Sequence, residues 1–277
     1  MNFSHLKRPD CPARTPPRPT DLAALRERIR HIEQPVGHGV LPFGVAAIDQ
    51  VLPSGGLALG AVHEVLGAGG DEEDGAAACG FIAGILARLG AGPVLWCLKR
   101  PDLYGPGLLA HGLDPARLIV VTAPRDEDIL WAVEEGLRMP GLAAIIGEIG
   151  RLPMVAGRRL QLAAEHSGIT AFLLRRWHNG AEAAAERERP SAALTRWRVA
   201  ALPAQDMDDP RLRQLIGRPR WRVELLRCRG GVPAQWVVKS GEIEVADAAG
   251  HVRLSAALAD RPAAAQQFDT EPRLRFG

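Results

Sequence analysis

The segment from residue 61 to residue 89, AVHEVLGAGGDEEDGAAACGFIAGILARL, decides the fold. It begins with a short apolar stretch, Ala61 to Leu66, which predicts a buried strand. A glycine-rich turn follows, and the small apolar residues from Ala76 to Leu89 then predict a helix. Phosphate-binding loops occur in this order of strand, glycine turn and helix, because the helix N-terminus presents unpaired N–H groups to an anion.

The turn keeps the glycine spacing of a phosphate-binding loop but lacks its reactive side chains. A functional loop continues with Lys and then Ser or Thr, which neutralise phosphate charge and hold Mg²⁺. This chain has two alanines there, and alanine can do neither. The four carboxylates of residues 71–74 also add negative charge where a triphosphate needs positive charge. We interpret the loop as kept only for its fold; its residues are Gly67, Gly70, Gly75, Ala76 and Ala77.

Two further parts of a nucleotide-hydrolysing site are missing from the sequence. The predicted strand Leu142 to Ile146 should end in an Asp that supports Mg²⁺, but Glu148 comes one position late, where strand alternation aims it differently. A carboxylate that polarises water is expected after the predicted strand Pro93 to Leu98, where the chain reads Lys99-Arg100. We therefore expect no nucleotide cofactor and no ATP hydrolysis.

Composition excludes several other classes of protein. The chain has 277 residues, 47% of them hydrophobic, and a net charge of +2, which excludes disordered and fibrous chains. No HExxH or GxSxG motif is present, and the four cysteines form no CxxC pair, so neither a metal site nor a serine nucleophile is predicted. The sequence has no signal-peptide core and no membrane-length apolar stretch, so we expect a cytoplasmic protein without membrane contact.

Three regions are predicted along the chain. Residues 1–36 form a flexible, proline-rich arm followed by an amphipathic helix. In residues 37–250, apolar strands alternate with helices as far as residue 175, which predicts an α/β fold with a mostly parallel sheet covered by helices on both faces. Short alternating strands around Gly230-Gly231 then predict an antiparallel hairpin at the sheet edge. Residues 251–277 are predicted to be a weakly ordered tail.

The amphipathic helix, from Asp21 to Glu33, is a candidate docking element. Its apolar residues form one narrow seam, with arginines between them, and residues 34–39 separate it from the predicted core. The seam fits either the chain's own core or another subunit, and the sequence leaves that choice open. The seam consists of Leu22, Leu25, Ile29 and Ile32.

Several motifs between residues 37 and 245 resemble the RecA-like proteins, and in particular the ImuA family. Residues 44–53, GVAAIDQVLP, and residues 55–60, GGLALG, are similar to the entry of a RecA-type core. A degenerate loop that continues into Ala76-Ala77-Ala78, together with the late segment WRVELLRCRGG at residues 221–231, is typical of ImuA. The resemblance implies a RecA-like core.

The resemblance also implies a function and partners. ImuA proteins are accessory factors of damage-induced, error-prone translesion DNA synthesis. The implied partners are ImuB, RecA and, indirectly, an error-prone replicative-type polymerase. Two other functions stay open from the residues: a DNA-dependent ATPase of the RecA or RadA type with a rearranged site, and a regulatory binder such as a cell-division inhibitor.

An arginine-rich stretch is a candidate contact surface. Residues 175–229 hold thirteen arginines against seven carboxylates, with Trp177, Trp197 and Trp221 among them. Arginine with interleaved aromatic residues suits single-stranded DNA, although core packing is the favoured interpretation for Trp197 and Trp221. We interpret residues 179–193 as a flexible loop equivalent to the mobile DNA-binding loop of RecA-type cores. The candidate contacts to DNA or ImuB, which a solvated rim would equally explain, are Arg187, Arg189 and Arg196.

Overall fold

A computed structural model describes residues 38–177, 180–203, 219–239, 243–247 and 250–254. The strands are β1 (Val40–Leu41), β2 (Leu57–Ala58), β3 (Val62–Gly67), β4 (Val94–Leu98), β5 (Leu118–Thr122), β6 (Ala144–Ile149), β7 (Thr170–Arg175), β8 (Thr195–Leu202), β9 (Arg220–Cys228), β10 (Ala234–Lys239), β11 (Ile243–Asp247) and β12 (Gly250–Leu254). The α-helices are α1 (Ala46–Asp49), α2 (Ala76–Leu86), α3 (Gly105–Ala110), α4 (Asp126–Gly136), α5 (Met154–Ser167) and α6 (Gly180–Arg187).

The central sheet has eight strands in the order β10-β9-β8-β3-β7-β6-β4-β5. Strands β8, β3, β7, β6, β4 and β5 are parallel to their neighbours in this run, while β9 and β10 are antiparallel. The predicted α/β class, with a mostly parallel sheet and an antiparallel extension at its C-terminal end, is therefore confirmed and is consistent with a RecA-like core. The hairpin around Gly230-Gly231 is confirmed as the pairing of β9 with β10.

Helices cover both faces of the sheet, because the central strands are buried on both sides. One apolar cluster joins helices α1, α2 and α3 to one face, with Phe81, Trp96 and Trp197 among its members. The other cluster joins α4 and α5 to the opposite face, through Ile129 and Leu160. Strand β4 is buried at every position, which explains why its sequence, VLWCL, is a continuous apolar run rather than an alternating one.

Strand β8, which the sequence groups with the antiparallel strands, is antiparallel to β9 but parallel to β3. Two other local predictions were wrong. Strand β6 continues to Ile149 instead of ending at Ile146, since Gly147 and Glu148 keep the pairing with β7. Part of the predicted flexible loop is helix α6, which has the helix-favouring composition GAEAAAER and buries Ala183.

Several predictions lie outside the described residues. They are the proline-rich arm, the amphipathic helix and the tail beyond residue 254, so the domain division stays a prediction. Within the described ranges, no helix is both long and apolar enough to cross a bilayer.

Strand β3 carries a buried imidazole next to the core. The His63 side chain is fully buried, and its ring nitrogens lie 2.7 Å from the Thr195 hydroxyl and 2.8 Å from the Ala58 carbonyl. Burial lowers the pKa of His63 from 6.5 to about 4, although the Ala58 carbonyl opposes the shift. The folded protein therefore keeps a neutral imidazole at pH values where the unfolded chain binds a proton.

We expect this histidine to make the fold sensitive to mild acid. The unfolded state takes up a proton below its pKa of 6.5 and the folded state does not, so folding stability is complete above that pH and falls as pH drops toward 4. Between pH 7 and pH 5 the loss from His63 is about 2 kcal/mol. Urea unfolding at both pH values measures it.

The His63→Gln variant should lose that part of the pH dependence, because its carboxamide does not titrate. His166→Gln, at an exposed position, is the matched control and should keep the wild-type slope. The half-buried imidazole of His111, whose pKa is also lowered by burial, contributes equally to all three proteins. An unchanged slope in His63→Gln would show that the imidazole is not the source.

Candidate functional site: a degenerate nucleotide site at the carboxyl edge of the sheet

The residues of the degenerate phosphate loop form part of a helix. Residues Asp71–Gly75 make one π-helical turn that continues directly into α2. The N–H groups of Glu73 and Asp74 both point back to the Gly70 carbonyl, at 3.2 and 3.1 Å. The turn therefore satisfies its own backbone groups, some of which a phosphate-binding loop leaves free for its ligand.

The carboxylate of a loop residue, Asp74, accepts hydrogen bonds from further backbone N–H groups. Asp74 is buried, and its side-chain oxygens accept hydrogen bonds from the backbone N–H of Gly69 at 2.6 Å and of Ala201 at 2.6 Å. Ala68 meanwhile donates its N–H to the Val199 carbonyl at 2.9 Å. A negative group of the chain thus lies against the loop backbone, where a bound phosphate would otherwise accept these bonds.

Two glycines of the loop lie against acidic side chains. A side chain at Gly75 would collide with the carboxylate of Asp71, which Arg100 and Arg176 hold in place. A side chain at Gly69 would displace the end of the exposed Glu73 side chain and would lie 3.1 Å from a carboxylate oxygen of Asp74.

Arg176 connects the loop to two other strands. It follows β7, and its guanidinium makes a bidentate pair with Asp71, with N–O distances of 2.8 and 2.6 Å. It also donates to Asp102, after β4, at 2.8 and 2.9 Å, and to Glu148, in β6, at 2.6 Å. One arginine thereby joins three carboxylates from separate elements at the carboxyl edge of the sheet, where α/β proteins usually bind ligands.

The three carboxylates differ in their environment. Burial raises the pKa of Glu148 above its usual value, and the hydrogen bonds from Arg176 and the Trp96 indole oppose that shift only in part. For Asp71, burial also favours the neutral form, but Arg176 and Arg100 outweigh it and hold its pKa below the usual range. Burial likewise disfavours the charged form of Arg176, yet the carboxylates around it raise its pKa further.

The basic residues after β4 are also paired. Arg100 forms an ion pair with Asp71, and Lys99 lies 2.6 Å from a carboxylate oxygen of Asp126 at the start of α4. The sequence predicted that the loop acids form an anionic wall. The structure corrects this: Asp71 is neutralised by two arginines, Asp74 accepts backbone N–H groups, and Glu72 and Glu73 face solvent.

The prediction that Glu148 comes too late in its strand to face the site is wrong. Because β6 continues through Gly147, Glu148 remains inside the strand and lies on the same face as α2, where it meets Arg176 and the Trp96 indole. The signal that could have revealed it is the two-residue period of a strand, which places residue 148 on the same face as Ala144 and Ile146.

A small cavity of about 310 Å³ remains beside this cluster. It lies between α2, α3 and the ends of β4 and β6, and it is lined by polar groups of Asp71, Glu148 and Arg176 together with Tyr104 and His111. Among the described residues that line it, the one arginine is already bound to three carboxylates. Within the described ranges no group of three or more His, Cys, Asp or Glu is placed to hold a metal ion.

The predicted contact arginines have different environments. Arg189 is exposed and pairs with Glu186 at 3.1 Å. Arg196 is only 5% exposed and donates to the backbone carbonyls of Arg189 and Glu186, at 2.7 and 2.8 Å. That geometry favours a structural role for Arg196. Only the backbone of Arg187, at the end of α6, is described, and contact with DNA or ImuB stays a prediction.

The core interpretation of the tryptophans is confirmed. Trp197 is fully buried between Phe43, Phe81 and Trp236, and Trp221 is also buried. The docking seam Leu22, Leu25, Ile29 and Ile32 lies outside the described residues, so the structure does not place it beside the degenerate loop or any other surface.

The Arg176 cluster should be essential for stability. In Arg176→Met, the buried Glu148 and the mostly buried Asp71 lose their shared counterion, so we expect the free energy of unfolding to fall by about 3 kcal/mol. Arg125→Met, which breaks an exposed pair with Asp128, should leave it nearly unchanged. Urea denaturation measures both, and equal effects would contradict the assigned role.

Comparison with known proteins places the chain in a family. No protein family model matches it. Two curated relatives, both called Protein ImuA, come from Caulobacter vibrioides, one from strain NA1000 / CB15N and one from strain ATCC 19089 / CIP 103742 / CB 15. Each is 42% identical over 248 residues, covering 86% of this chain and 96% of the relative. With that identity over nearly the full length of the relatives, the chain belongs to the ImuA family.

Proposed function

We propose that this protein is a non-catalytic, RecA-like adaptor of damage-induced, error-prone translesion DNA synthesis in the cytoplasm. In this role it links ImuB, RecA and, indirectly, an error-prone replicative-type polymerase. The proposal combines membership of the ImuA family with the geometry of the nucleotide site.

The Asp74 carboxylate carries the non-catalytic part of the proposal. It accepts hydrogen bonds from the backbone N–H groups of Gly69 and Ala201 beside the loop, and the turn that contains it is already helical. A triphosphate would have to displace this carboxylate and would find no loop lysine, since residues 76 and 77 are alanines. These features favour a fold that binds partners over one that hydrolyses ATP.

We expect no saturable binding of a fluorescent ATP analogue with Mg²⁺ at micromolar concentration. The double variant Ala76→Lys/Ala77→Thr should also fail to bind, because it restores the lysine and the hydroxyl but leaves the Asp74 carboxylate in place. Fluorescence titration measures this, with RecA as the positive control. Saturable binding by the wild type would overturn the proposal in favour of an ATPase, and binding by the variant alone would show that Asp74 does not block the loop.

The adaptor role also predicts a loss of partner binding when the docking seam is made polar. In Leu25→Glu/Ile29→Glu, two charges replace the apolar contacts of the predicted helix, so binding to purified RecA, or to a second copy of the chain, should weaken by at least about tenfold. Surface plasmon resonance measures the affinities, and thermal unfolding checks the fold.

Arg30→Glu is the matched control, since it adds the same negative charge on the polar side of the predicted helix. It should bind like the wild type. A fall of many degrees in the melting temperature of the double variant would place the helix in the core and contradict the docking role. Capture of ImuB but not of a cell-division protein by the wild type separates the adaptor from the alternative regulatory binder.

A further inference from the structure

A groove of about 800 Å³ lies on the other side of the sheet from the degenerate nucleotide site. Its walls are helix α5, the segment of residues 188–192 that leads toward β8, and the end of β9. It shares no lining residue with the small cavity beside Arg176. The carboxylate cluster around Arg176 does not account for it.

Apolar side chains form part of the groove surface. Met154 and Leu162 come from α5, Pro190 from the connecting segment and Leu226 from β9. Leu162 is 65% exposed although it lies in the middle of a helix, next to the turn that buries Leu160 and Gln161. An exposed leucine in a concave surface can bury more apolar area when a partner docks there.

Basic side chains outnumber acidic ones along the groove. Five arginines and two glutamates line it, and two of the arginines, Arg189 and Arg196, face the carboxylates of Glu186 and Glu64 outside the lining. Arg196 and Arg227 donate to backbone carbonyls, and Arg189 pairs with Glu186. Arg158 and Arg229, in contrast, form no ion pair with any carboxylate that the structure describes. Their guanidinium groups are therefore available to a partner's carboxylates.

The groove suits a peptide better than single-stranded DNA. Proteins that bind single strands stack the bases on exposed aromatic rings, and none of the described residues that line this groove is aromatic. The tryptophans of the arginine-rich stretch are buried in the core. Glu165 and Glu188 also lie among the arginines, where they would repel a backbone that carries a phosphate at every nucleotide, whereas a peptide can place an uncharged residue such as leucine next to them.

From the apolar surface and the two unpaired arginines, we infer that this groove is a docking site for an acidic, leucine-bearing peptide segment of a partner protein. Carboxylates of the segment bind Arg158 and Arg229, and its leucines cover Leu162 and Leu226. The inference goes beyond the adaptor role, which does not specify this surface or the chemistry of what binds there.

The test uses the full chain and a short fluorescent peptide of alternating glutamate and leucine, with fluorescence anisotropy as the readout. Binding should be saturable and should weaken with salt, because charge pairs at the rim are screened. Two comparison peptides, one with serine for leucine and one with lysine for glutamate, should both bind at least about tenfold more weakly.

Three variants locate the binding. Arg158→Glu/Arg229→Glu should weaken the acidic peptide by at least about tenfold, and Leu162→Ser by severalfold. Arg125→Glu/Arg138→Glu makes the same change of charge at exposed positions outside the groove and should bind normally. Since Leu162 is exposed, its variant keeps the test decisive even if the double reversal fails to fold.

Other results would overturn the inference. These are no saturable binding of the acidic peptide, equal binding by the double reversal and the wild type, or preference for the lysine peptide. Displacement of the peptide by oligothymidine at lower concentration than unlabelled peptide would assign the groove to single-stranded DNA instead. The measurement contains neither ImuB nor RecA, so its failure leaves the adaptor role untouched.

Discussion

The guanidinium of Arg176 holds together the edge of the sheet at which RecA-type proteins would hold a nucleotide. It reaches the loop turn through Asp71, the end of β4 through Asp102 and the interior of β6 through Glu148. The buried Glu148 depends on this arginine as its counterion, the mostly buried Asp71 shares it with Arg100, and all three carboxylates stabilise the charge of the mostly buried guanidinium. The ion pairs of Arg176 therefore fix the geometry of the site without a ligand.

This arrangement reverses the charge pattern of a nucleotide-hydrolysing site. A functional loop presents a lysine and a hydroxyl, and a functional strand end presents a carboxylate that activates water. Here the loop presents acids and the end of β4 presents Lys99 and Arg100, each paired with a carboxylate. Replacing Arg176 would leave the buried Glu148 without its arginine partner. These ion pairs therefore stabilise the fold, and under the proposed function the same contacts oppose nucleotide binding.

The sequence was sufficient for the parts of the fold that local patterns determine. Runs of five or six apolar residues predicted the central strands, and adjacent glycines predicted the β9–β10 hairpin. The role of Asp74 could not be predicted, since its second hydrogen bond goes to Ala201, 127 positions away. The resemblance to RecA-type cores predicts a loop where the structure has helix α6, whereas the alanine-rich composition of this segment favours a helix. The chemistry of the site thus depended on contacts between distant segments, whereas the architecture did not.

Contacts between distant segments also change the interpretation of the arginine-rich stretch, residues 175–229. Its excess of positive charge suggested a broad surface for polyanions, but Arg175, Arg176 and Arg196 lie inside the protein, where they neutralise buried carboxylates or cap backbone carbonyls. Buried and paired arginines contribute little field outside the molecule. Among the described residues, positive charge without a matching carboxylate is found in the groove beside α5, together with exposed apolar surface. A concave surface of that kind selects a partner by the order of charge and leucine along a peptide, rather than by total charge.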